Sequence, residues 1–103
     1  MFAKLERLTP GSAVARNGLG AVAMLQGRYD EARKHYRSAL ATNPNDVAAR
    51  QSLAMIAETI DHDPAEAARL CEEVAHLAPG TQGIDDCIRR NRARGRESAP
   101  SPR

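Results

Sequence analysis

Prolines at positions 10, 44 and 79 fall 34 and 35 residues apart. Each is a place where a helix must stop, because proline lacks a backbone donor and its ring clashes with the preceding turn. An interval of that length holds two helices of three to four turns joined by a tight turn. This punctuation constrains the fold more than any other feature of the chain. It predicts an all-α protein built from antiparallel helical hairpins, with one hairpin per interval.

The local signals agree with that division. Ser12 offers an N-cap oxygen to a helix over about 13–26, whose apolar stripe runs through Ala15, Leu19, Val22, Ala23 and Leu25. Gly18 and Gly20 lie inside it. A mid-helix glycine costs about 1 kcal/mol relative to alanine, so the pair is read as permitting close approach by a neighbouring helix. Gln26-Gly27-Arg28 forms a turn. The second helix begins near Asp30 and Glu31, whose carboxylates suit the positive end of the helix dipole, and buries Ala32, Tyr36, Ala39 and Leu40. Asn45 or Asp46 caps a third helix reaching about Ile60, with Leu53, Ile56, Ala57 and Ile60 on one face. Asp63 followed by Pro64 starts a fourth, which buries Ala67, Leu70, Cys71 and Val74 and ends near Leu77. Thr81 is expected to cap a fifth helix carrying Ile84, Cys87 and Ile88. Residues 2–8 form a short amphipathic segment on Phe2, Leu5 and Leu8. The helical domain is thus expected over 1–94. Residues 95–103 lack apolar anchors and are expected to be a disordered basic tail.

The stretch 13–44 resembles a tetratricopeptide repeat (TPR). Leu19-Gly20 matches that family's Leu-Gly pair, and Gly27, Tyr29, Ala32, Tyr36, Ala39-Leu40 and Pro44 match its second half in order. The following interval, 47–80, is a degenerate copy. Leu53-Ala54 stand for Leu-Gly, Ala67 for the crossing alanine, Cys71 for the aromatic and Pro79 for the closing proline, while His62 and Pro64 occupy the place of the turn glycine and its aromatic. Arg16 and Arg50 replace the family's early tryptophan. Residues 2–10 and 81–94 resemble half-repeats. The resemblance implies a non-catalytic protein–protein interaction module, such as an adaptor, assembly factor or accessory subunit. Such modules bind a peptide or partner helix in a groove lined by the first helix of each unit. It places Asn17, Ala21 and Met24, then Gln51, Met55 and Glu58, then Asp86, Arg90 and Arg94 along that groove. Arg90 and Arg94 fall where some relatives clamp a terminal carboxylate, but Asn17, Ala21 and Ser52 depart from that clamp. Two imperfect units fall below the roughly three needed for a self-sufficient array. A homo-oligomer or docking into a larger complex is the corresponding expectation.

Composition narrows the classes further. The chain has 103 residues, enough for one domain. Its hydrophobic content is 42%, but aromatics are only 3%, so the core must be thin and alanine-rich. No run of about 18 apolar residues is present for a transmembrane span. The first residues lack the apolar run of a signal peptide, so a cytoplasmic product is expected. The net charge of +2 hides a segregated pattern: residues 58–86 carry eight acidic side chains and one basic, and residues 87–103 six basic and one acidic. Arg89, Arg90, Arg92, Arg94 and Arg96 make a basic patch whose alternative role is to bind nucleic acid or an anionic surface. No aromatic is interleaved for base stacking, which counts against nucleic acid. The alternatives for the same arginines are a solvated tail, cations complementing the end of the fifth helix, or pairing with the acidic block 58–86 within or between chains.

Cys71 and Cys87 have no C-x-x-C spacing and lie on predicted apolar faces. They read as buried free thiols, with a disulfide open to them in an oxidising compartment. His35, His62 and His76 share no metal-ligand spacing, and no cofactor motif, phosphate loop or nucleophile is present. Asp61, Asp63, Asp85 and Asp86 are turn and capping carboxylates. Neither an enzyme nor a metal site is expected.

Overall fold

The computed structural model describes residues 12–98, with side chains through 96. The segment 2–8, the turn before Ser12 and residues 99–103 lie outside the described residues. Five helices appear in order: α1 (Ala13–Leu25), α2 (Tyr29–Thr42), α3 (Val47–Thr59), α4 (Pro64–Leu77) and α5 (Ile84–Ser98). No strand occurs among the described residues, so the all-α expectation holds. No helix is long and apolar enough to cross a membrane, again among the described residues. The chain divides into two compact units, Met1–Ser52 and Leu53–Arg103.

In the first unit, Ser12 caps α1 by accepting a hydrogen bond from the Ala15 amide at 3.0 Å. The turn after α1 closes through Arg28 N–H to Ala23 O at 2.8 Å and places Gly27 at φ +74°. That torsion lies in the left-handed region, where a Cβ is costly. A turn this short forces α2 back antiparallel on α1. Their contact is built from Ala15, Ala23, Ala32, Tyr36 and Ala39, all buried.

Gly20 has a more specific task than close backbone approach. A Cβ there would lie 2.7 Å from Cε1 and Cζ of Tyr36 and 3.0 Å from its Cδ1. The missing methyl is therefore the space that the Tyr36 ring fills, and that ring is only 4% exposed. The tryptophan-position arginine also has a structural use, since the Arg16 guanidinium donates to Ser38 Oγ on α2. Of the two candidate caps for α3, Asp46 is the one used: its Oδ1 accepts from the Ala49 amide at 3.1 Å.

In the second unit, Asp63 caps α4 by accepting from the Glu66 amide at 3.1 Å, with Pro64 at the first helical position. The turn before it passes through His62 at φ +52°. His62 thus adopts a left-handed torsion at the place where the better-formed repeat has Gly27. The buried set is Leu53, Ala54, Ile56, Ala57, Ala67, Ala68, Leu70, Cys71, Val74 and Ile84.

Three details of this unit differ from the sequence reading. Thr81 does not cap α5. Its hydroxyl donates back to Ala78 O at 2.6 Å, closing the preceding turn, and the helix begins only at Ile84. α5 also continues to Ser98, four residues past the expected domain end. Finally, Cys71 and Cys87 are not free thiols but form a disulfide joining α4 to α5, with Cα atoms 6.3 Å apart. Sixteen residues of half-helix, turn and half-helix return the chain to a facing position at that range, which a disulfide spans.

Candidate functional site

The expected groove residues fall in both units, and each group has its own surroundings. In the first unit, Asn17, Ala21 and Met24 follow one another on α1 at spacings of four and three, which puts them on one face. Ala21 and Met24 are half-buried, and Gln51 on α3 is exposed. Asn17 is already engaged: its Nδ2 donates to Asp46 Oδ2 at 2.7 Å. Its Oδ1 is buried and accepts no hydrogen bond among the described residues. One carboxylate therefore caps α3 with one oxygen and holds α1 with the other. Asp46 was recognisable in the sequence only as a cap.

In the second unit, three of the expected residues meet in one cluster. Glu58 on α3 accepts from Arg90 on α5, with Nη2 2.9 Å from Oε1 and Nε 2.5 Å from Oε2. This two-point contact matches the planar fork of guanidinium to the carboxylate. Arg94 Nη1 stands 3.6 Å from the same carboxylate. Asn91 Nδ2 completes the set, 3.0 Å from Glu58 Oε2 and 2.8 Å from the Cys87 carbonyl. The Glu58 side chain is only 13% exposed. Its carboxyl is held below the ordinary glutamate value, first by the hydrogen bond from Arg90, with help from Asn91 and from the charges of Arg90 and Arg94. Burial opposes that shift. Arg90 moves the opposite way, its acidity weakened by the same bond. The basic residues at the clamp-like positions thus hold a carboxylate of their own chain.

Sequence reasoning missed Asn91, which is fully buried. A signal was present. Ile84, Cys87, Ile88 and Asn91 continue one helical stripe, and a polar residue on it needs internal partners. Asp86, by contrast, turns outward and pairs with Arg89 three residues on. Met55 on α3 is 43% exposed, a large apolar side chain facing solvent one turn before Glu58.

The basic patch does not form one surface. Arg90 and Arg94 face Glu58, whereas Arg89, Arg92 and Arg96 lie along a different stripe of α5 with Asp85 and Ile88. Arg89 pairs with Asp86, and Arg92 with Glu72 at 2.7 Å. Arg96 alone of the five forms no ion pair with a described residue. Glu58, Glu72 and Asp86 all belong to the acidic block 58–86, so the charge segregation is met largely by pairing inside this unit.

No group of three or more His, Cys, Asp and Glu side chains is gathered for a metal among the described residues. The family model for the tetratricopeptide repeat matches residues 13–46. Comparison with curated proteins finds no match. The matched span covers α1, the Gly27 turn, α2 and the Asp46 cap, the elements in which Gly20 accommodates the ring of Tyr36. Over residues 13–46 the chain is similar to the tetratricopeptide repeat family.

Proposed function

We propose that this protein is an adaptor, assembly factor or accessory subunit that takes a peptide or partner helix on the first-helix faces of its hairpins. The supporting observation is the tetratricopeptide repeat itself, since such repeats are protein–protein interaction modules and typically non-catalytic. On the first unit the proposed face comprises Asn17, Ala21, Met24 and Gln51. On the second it comprises Met55, Glu58, Asp86, Arg90 and Arg94. Met55 supplies an adaptable apolar contact. Glu58 and the arginines supply a charged rim that selects for a partner's polar groups. Self-association is a companion proposal, supported by the exposed apolar side chains Val14 and Leu25 on α1. We do not adopt nucleic-acid binding, because four of the five arginines between 89 and 96 already contact carboxylates of the same unit.

Affinity capture with the full chain tests the proposal. Wild type and Met55→Glu are compared by quantitative mass spectrometry, and circular dichroism confirms equal helicity. A protein enriched by wild type and lost with Met55→Glu supports the reading. A folded wild-type chain whose captured set is the same as that of Met55→Glu removes the second-unit face from it.

A further inference from the structure

The disulfide ties α5, the most polar helix of the second unit, to α4. On α5, Ile84 is the one large hydrophobic side chain that is buried, and Ile88 is only partly covered. The rest of the helix is strongly polar and includes the run Arg-Arg-Asn-Arg-Ala-Arg-Gly-Arg. Its remaining attachments are the Asn91 amide, the pairs of Arg90 and Arg94 with Glu58, and that of Arg92 with Glu72. The three arginines are about half exposed, and ion pairs in that setting contribute little. The α1–α2 hairpin is different, because Tyr36 and four buried alanines bind its helices without any covalent link.

We propose that the Cys71–Cys87 disulfide is a redox latch: oxidised, it keeps α5 docked on α4, and reduced, it lets α5 detach while the α1–α2 hairpin stays folded. The sulfur that a reductant meets first is that of Cys87, which is partly accessible, whereas Cys71 is 2% exposed. A thiolate from a dithiol reductant attacks Cys87 Sγ. The bond between the two cysteines breaks, and the Cys71 sulfur leaves with the electron pair and takes up a proton. The second thiol of the reductant then attacks the mixed disulfide, freeing Cys87 as a thiol and leaving the reductant as its own disulfide. The net transfer is two electrons and two protons to the protein. Detachment uncovers the α4 face carrying Cys71 and releases Glu58 and Glu72 from their arginines. Oxidising compartments preserve the latch, and thiol-rich ones open it.

Hydrogen exchange of the full-length chain, followed by mass spectrometry with and without dithiothreitol, tests the proposal. Closing a loop of this length contributes enough that its loss should speed local opening about a hundredfold. The expected result is exchange of α5 amides faster by about that factor in dithiothreitol, with α1 and α2 amides unchanged. Alkylation after reduction should add two labels and none before it. The Cys71→Ala/Cys87→Ala variant should exchange like the reduced protein and ignore dithiothreitol. Equal α5 protection in both states overturns the latch. So does faster exchange in α1 and α2 as well as in α5, which would make the disulfide a staple of the entire fold.

Discussion

Replacing Gly20 with alanine sets two effects of known size against each other. Alanine is the better helix former by about 1 kcal/mol in a helix interior, and on propensity alone the substitution should stabilise. The structure predicts the reverse. The added methyl would lie 2.7 Å from two ring carbons of Tyr36, closer than real Cβ contacts permit. The ring is 4% exposed and packed among buried alanines, so it has little room to retreat. Overpacking of a tight core costs about 1–3 kcal/mol, and a rigid aromatic neighbour places this site in the upper part of that range. Subtracting the propensity gain leaves a net destabilisation of about 1–2 kcal/mol. Urea unfolding followed by circular dichroism measures it. The control is Tyr36→Leu, which removes the ring. In that background Gly20→Ala should be neutral or stabilising by up to about 1 kcal/mol. If Gly20→Ala stabilises the wild-type chain, or costs the same with and without the ring, then Tyr36 is not the reason for the glycine.

Two further predictions concern the second unit. The Glu58 carboxyl is held below its ordinary value of 4.5, so its contribution is complete above about pH 5 and is lost as pH falls through 4.5 and lower. Wild type should lose stability across that window more steeply than Glu58→Gln in urea titrations at stepped pH. Near neutral pH the variant should be weaker by about 0.5–1 kcal/mol, the upper end for ion pairs whose arginines stay half in solvent; identical pH profiles would dismiss the cluster as a stabilising element. His62 adopts φ +52°, a torsion that costs a residue with a Cβ about 1–2 kcal/mol. His62→Gly should therefore stabilise by about 0.5–1 kcal/mol after its larger chain entropy is counted, and a thermal midpoint that falls would contradict this.

The proline spacing and the capping residues Ser12, Asp46 and Asp63 made the helix order and most boundaries readable, because these are local signals. What stayed hidden depended on pairs. That Gly20 answers to Tyr36 requires knowing which two side chains meet across a hairpin. The second repeat shows the same relation in changed sizes: Ala54 and Cys71 occupy the corresponding positions, and a smaller partner at 71 accompanies a methyl at 54. The choice between free thiols and a disulfide stays open for a related reason, since spacing along the chain says little about whether two sulfurs face each other. The resemblance puts Glu58, Arg90 and Arg94 along the groove. Their engagement with one another followed from the approach of α5 to α3, which no local pattern encodes.

Asp46 also bears on where such a chain can be cut and rejoined. It is the last residue of the matched repeat, yet its two oxygens serve different owners, Asn17 of α1 and the first turn of α3. The border drawn by sequence recurrence is therefore not a mechanical seam. A graft that swaps residues 13–46 for a foreign repeat transplants the cap of the helix that follows and must supply a matching amide at position 17. Moving the joint past Ala49 keeps the carboxylate with both of its clients. Modularity in this protein is then offset from its own periodicity by a few residues, and recombination, natural or engineered, should tolerate breakpoints accordingly.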